Sequence, residues 1–195
     1  SLLQTPPQSH LDWLYQFFEI LKAAANAIAG LIGPPLTTRR FLRTLNNRTE
    51  TLGVSQLLAG FNGLLGFSED HAKDLSGWVN AFESDLTYQA ETSIPPVHLA
   101  PCRHTYYVAA LRTLIESGES VNASWPLLRT WLDVQLSVSQ PTPGLEIWGS
   151  CLESIGLTVE NTDQKTEALD AFLDNVDLLI ENWASTYGAY NPKRF

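Results

Sequence analysis

The stretch TDQKTEALDAFLDNVDLLIENWASTYGAYNPKRF, residues 162–195, decides the fold class. Its apolar residues Leu169, Phe172, Leu173, Val176, Leu179, Ile180 and Trp183 recur at three- and four-residue steps. That spacing puts them on one stripe of a helix. Glu167, Asp170, Asp174, Asp177 and Glu181 recur at the same steps on another face. Thr162 or Asp163 is placed to cap the start, Gly188 to stop the helix, and Asn191-Pro192 to block continuation. Five like charges on one stripe repel by roughly 0.2–0.5 kcal/mol per pair. The stripe is either a solvated face or a surface that meets a basic partner or a neighbouring copy.

Working back toward the N-terminus, the same helical period returns. Leu11, Leu14, Phe17, Phe18, Leu21, Ala24, Ala25, Ile28 and Leu31 form one run, ended by Gly33-Pro34-Pro35. Thr37 or Thr38 begins a second helix with Phe41, Leu42 and Leu45 inward. The segment 54–67 is apolar and rich in glycine, fitting a closely packed helix or an irregular segment. Ser68-Glu69-Asp70 opens a helix with Leu75, Trp78, Val79, Phe82 and Leu86 inward. A helix over 106–116 is stopped by Gly118, and Ser124 caps another with Pro126 in its first turn. A short helix, 145–155, leads to the last one. No alternating strand pattern or internal repeat is visible. The expectation is an all-α bundle of about six to eight helices in a single domain, 1–195. The proline-rich loop 93–101 is the place where two lobes would divide.

Composition narrows the function. The chain has 195 residues, 44% hydrophobic and only 17% charged, which favours a standing partner or self-association. Net charge is −9, but residues 1–60 carry five bases against three acids, so the remainder is −11. That balance argues against a free-standing, promiscuous nucleic-acid binder and leaves room for a polymer subunit with a small repeated basic strip. No apolar run is long enough to span a bilayer, and the opening Ser1-Leu2-Leu3 lacks a basic n-region, so a cytoplasmic protein is expected. Cys102 and Cys151 read as free thiols.

No motif for catalysis is present: no phosphate loop ending in Lys-Ser/Thr, no Gly-x-Ser-x-Gly elbow, no Glu-x-x-His pair. His98, Cys102 and His104 are close in sequence but lack the further ligands a zinc site needs. The expectation is no enzyme, no cofactor and no metal. The six tryptophans fit a core better than a ligand pocket. Arg39, Arg40 and Arg43 lie on about one helical turn, and guanidinium forks suit phosphate. The one aromatic within it, Phe41, faces inward, so no exposed aromatic interleaves the strip. Its alternative use is salt-bridging to the acidic remainder.

Val176-Asp177-Leu178-Leu179-Ile180-Glu181, followed by Tyr190-Asn191 and Arg194-Phe195, resembles the last long helix and turn of rod-shaped plant-virus coat proteins of the tobamovirus type. Thr5-Pro6-Pro7-Gln8 is similar to that family's opening, and the helices over 17–28 and 36–45 fall in its order. Residues 50–160 show no counterpart. The resemblance implies a bundle lying radially in a helical rod, with copies of the chain and single-stranded RNA as partners. It implies Arg39 and Arg43, then Arg40, on RNA phosphates. It also implies subunit-interface carboxylates, for which Glu50, Glu167, Asp170, Asp174, Asp177 and Glu181 are the candidates. Carboxylates crowded across subunits would favour packing as pH falls. The location would then be the virion or host cytoplasm. Two other readings stay open: an acidic helical chaperone or adaptor for a protein partner, and a small-molecule-binding bundle.

Overall fold

In the computed structural model, which describes residues 10–188, the chain folds around one helix, α6 (Ser120–Ser137). Twelve of its eighteen residues are buried, because α1 (His10–Gly30), α2 (Phe41–Leu52), α4 (Leu75–Thr92) and α5 (His104–Glu116) all pack against it. Enclosure on several sides leaves it little outward face, so even Ser120, Ser124, Thr130 and Gln135 are buried. Trp125 is the hub. Its indole stacks on Phe41 of α2 at 4.2 Å between ring centroids and meets Phe18 of α1 at 5.6 Å and Phe61 of α3 (Ser55–Leu65) at 5.5 Å. One ring thus ties four helices.

The remaining elements wrap this centre. α7 (Leu145–Ser154) packs on α4, and α8 (Thr162–Tyr187) packs on α1 and α3. The described residues hold eight α-helices and short 3-10 turns, with no strand, as the periodicity requires. A continuous apolar core runs from Trp13 to Val176 and draws on all eight helices. The loop 93–101 joins α4 to α5, which pack on each other.

Two glycines are demanded by geometry. Gly66 ends α3 at φ +70°, and a Cβ there would sit 1.8 Å from the Ile155 carbonyl oxygen. Gly60 lies under the Phe172 ring, 3.2 Å from where a Cβ would be. The glycine-rich segment 54–67 is therefore a closely packed helix.

Some expected boundaries move. α6 begins at Ser120, not Ser124, and Pro126 sits inside it. Proline lacks the N–H that would bond the Asn122 carbonyl, but burial of the neighbouring turns outweighs that loss. Arg39 and Arg40 occupy a 3-10 turn, Thr38–Arg40, that precedes α2 rather than belonging to it. A 3-10 turn, Glu69–Lys73, precedes α4, closed by a reciprocal cap between Ser68 and His71. Leu136, in the last turn of α6, is exposed. On α8 only Leu169, Phe172 and Val176 are buried; Leu173, Leu179, Ile180 and Trp183 are half-buried. Gly188 ends α8 at φ +71° as expected. The Thr5–Gln8, Tyr190-Asn191 and Arg194-Phe195 segments that carry part of the family resemblance lie outside the described residues.

Candidate nucleic-acid interface and neighbouring surfaces

Two tyrosines remote in sequence join the arginine strip. α5 opens with Tyr106 and Tyr107, and its packing against α6 brings both beside the Thr38–Arg40 turn. The result is a groove of about 470 Å³ with Arg39 and Arg40 on one wall and Tyr106 and Tyr107 on the other. Leu111, Leu114 and Pro126 form its apolar floor. The Arg39 guanidinium lies 5.9 Å from the Tyr106 ring centroid, at the outer range of a cation–π contact. Tyr106 is half exposed, while the Tyr107 hydroxyl is fixed by donating to the His98 carbonyl at 2.6 Å.

The basic residues have separate tasks. Among the described residues neither Arg39 nor Arg40 has a carboxylate partner. Arg43 reaches Glu119 at 3.7 Å, a loose and exposed ion pair. Arg48, beyond the strip, is structural. It donates to the carbonyls of Ala29 and Pro34 and packs under Gly33, holding the turn after α1. The strip available to a ligand is therefore Arg39 and Arg40, with Arg43 at its edge.

The interface carboxylates stay apart. Glu167, Asp170, Asp174, Asp177 and Glu181 are all exposed on the outer face of α8, and none makes an ion pair among the described residues. Glu50 is on α2, where its carboxylate accepts a hydrogen bond from Asn46; no hydrogen bond or ion pair joins it to the stripe.

The acids that do pair lie elsewhere. Arg129 bridges Glu19 and Asp133, and its guanidinium lies 5.1 Å from the Tyr15 ring centroid. Burial works against ionisation of Glu19, but hydrogen bonds from Lys22 and Arg129 outweigh it and hold this carboxyl below its ordinary value.

The other constellations resolve into structure. His98 Nε2 meets Asp133 at 3.2 Å, and His104 Nε2 meets the Leu99 carbonyl at 2.9 Å, so both imidazoles have protein partners. Among the described residues no group of three His, Cys, Asp or Glu side chains is placed to hold a metal ion. Cys102 is exposed; burial drives the Cys151 thiol well above its ordinary value, so it stays protonated. Five tryptophans are buried, with Trp131 and Trp148 in ring contact at 5.1 Å, and Trp183 is half-buried. No helix among the described residues is long and apolar enough to cross a membrane.

A second concave surface was only half visible in the sequence. α3 and α8 enclose a cleft of about 770 Å³ whose lining includes Leu57, Gly60, Gly63, Ala168, Ala171 and Phe172. α3 contains no charged residue. The one cation in the lining, Lys165, turns its ammonium onto the Gly63 and Leu64 carbonyls at 3.2 and 2.9 Å. Burial there lowers its pKa. No protein-family model, curated protein or solved structure matches this chain.

Proposed function

We propose that the chain is a non-catalytic structural subunit that associates with copies of itself and holds single-stranded RNA, as a helical coat protein does. The observation that carries the reading is the groove lined by Arg39 and Arg40, neither paired with a carboxylate among the described residues, in which Arg39 meets the Tyr106 ring. A single strand offers two chemistries that fit it. Phosphates take guanidinium forks, and an unpaired base takes an aromatic face. An apolar floor at Leu111 and Leu114 suits a splayed base better than it suits a free inorganic anion.

The net charge of −9 sets the scale of affinity. Two or three phosphate contacts on an acidic body bind weakly. Tight holding comes from many copies engaging one strand, since each later contact is intramolecular. Self-association and RNA binding thus support each other, and neither needs a reacting group.

The test is fluorescence anisotropy of a labelled single-stranded oligouridylate with the wild type and single variants. Tyr106→Ala is expected to weaken binding by about 1–3 kcal/mol, the worth of one stacked base. Arg40→Ala should weaken it and flatten the salt dependence by about 0.7 in the log–log slope. Unchanged binding by Tyr106→Ala, or no binding by the wild type at low salt, would overturn the RNA assignment.

The adaptor reading has one observation in its favour, the uncharged α3–α8 cleft, which has room for an apolar helix from another protein. It predicts a discrete monomer or dimer that does not polymerise.

A further inference from the structure

α8 carries three faces. Phe172 and Val176 turn into the core, and the five carboxylates turn outward. Between them runs a row without charge: Gln164, Ala168, Ala171, Asn175, Leu178 and Asn182, all exposed and all lining the cleft against α3. Leu178 is 56% exposed, a large apolar side chain among the residues that line the cleft. On a chain of net charge −9, most approaches of one copy to another bring acid against acid. Here α3 and this row of α8 offer a broad uncharged meeting place.

We infer that this face is where two copies of the chain meet, with their α8 helices antiparallel over the α3–α8 cleft. The row is its own complement when reversed about Leu173. Gln164 then faces Asn182 of the other copy, Ala168 faces Leu178, and Ala171 faces Asn175. A large residue meets a small one, and amide meets amide. Each leucine enters the hollow beside the other copy's Ala168, which is how a two-fold contact uses one patch twice. Gly63, with open space where a Cβ would stand, leaves the α3 side of the cleft open to it.

From Gln164 to Asn182 the row covers nineteen residues, about 27 Å of helix. With α3 included, the contact buries on the order of 1,000 Å² in total, the low end for a specific interface. Such a contact is weak for an isolated pair and, being two-fold, closes a dimer; growth into a rod needs a second, heterologous contact elsewhere on the subunit. Glu167 and Asp174 border the row on the acidic side, so the two copies bring these rims together. Salt screens that repulsion. Self-association at this face therefore tightens as salt is added, whereas RNA binding loosens.

This inference specifies the self-association in the proposed function and is independent of the RNA groove. The measurement is sedimentation velocity of the full chain across a wide concentration range at low and high salt. Ala171→Glu and Leu178→Lys are exposed changes that leave the core intact, which circular dichroism checks. Each is expected to raise the dissociation constant at least about tenfold by placing unpaired charge in the contact. Register is read by cross-linking in a Cys102→Ser background. A mixture of Ala171→Cys and Asn175→Cys chains should form heterologous disulfides faster than either forms its own.

Wild type that stays monomeric at every concentration and salt overturns the inference and leaves the cleft to a foreign helix. Wild type that associates while Ala171→Glu and Leu178→Lys associate equally well overturns the interface but leaves self-association standing. Association through this face with no RNA binding overturns the RNA reading alone.

Discussion

α6 and α8 are opposites. α6 buries twelve of eighteen residues, and α8 buries three of twenty-six. α8 is the helix most plainly written in the sequence, because a helix at the surface must alternate an apolar face with a polar one. α6 is the harder helix to delimit, because a helix surrounded by others keeps little polar face to set its period. Legibility and structural weight run in opposite directions here. The helix that announces itself is not the one the fold is built around, and its surplus surface is what is left for partners.

The first way to break that contrast is to truncate a tryptophan on each helix. Trp125→Ala removes the ring that joins Phe41, Phe61 and Phe18, and should cost about 3–5 kcal/mol in urea denaturation. Trp183→Ala, at the half-buried end of α8 beside Ile32 and Leu52, should cost only about 1 kcal/mol. Equal losses would mean that the end of α8 belongs to the core after all.

The next effect in size concerns a carboxylate with a different task from those on α8. Asp85 is fully buried on α4. Its Oδ2 accepts from Trp131 Nε1 at 2.7 Å and Gln135 Nε2 at 2.8 Å, and its Oδ1 accepts from the Gly144 N–H at 2.6 Å. Thr142, bonded to Gln135, completes the set, so one acid pins the 138–144 loop to α6. Asp85→Ala leaves the Trp131 and Gly144 donors without an acceptor and Gln135 with Thr142 alone, and should cost about 3 kcal/mol. A loss below about 1 kcal/mol would show that water replaces the carboxylate at little cost.

Asp85 also marks what sequence alone conceals. It sits in the run Phe82-Glu83-Ser84-Asp85-Leu86 like any surface acid, and its acceptor role depends on residues 46, 50 and 59 positions away. The helix count and most ends were legible because caps and periodicity are local. Gly118 and Gly188, for instance, stop α5 and α8 where left-handed backbone is required. The start of α6 was misread because Ser124-Trp125-Pro126 imitates a helix start; in place, all three residues are buried inside the helix. The arginine–tyrosine groove was half legible. Three arginines within five residues are a local signal, but Tyr106 joins them only through packing of α5, some 67 residues beyond Arg39. Nothing short of the fold distinguishes that tyrosine from a buried one.

The smallest expected effect is the most informative about α8. Asp174 lies four residues after Asp170 and three before Asp177, so it takes part in two like-charge pairs on an exposed face. Removing its charge by Asp174→Asn relieves both, and the fold should gain about 0.4–1 kcal/mol at low salt. The gain should vanish at high salt, where exposed charges no longer sense one another. Trp125 and Asp85 lose stability when changed because the fold uses them; Asp174 should do the reverse because its stripe works against the helix that carries it. A stripe that destabilises its own helix serves solvation or an encounter outside the subunit, and at the rim of the proposed two-fold contact it also opposes association. Asp174→Asn should therefore stabilise the subunit and tighten self-association together, both effects fading with salt. If the variant were less stable than the wild type at low salt, a favourable local contact would be holding Asp174, and α8 would have to be regarded, like α6, as a helix whose surface residues serve the fold.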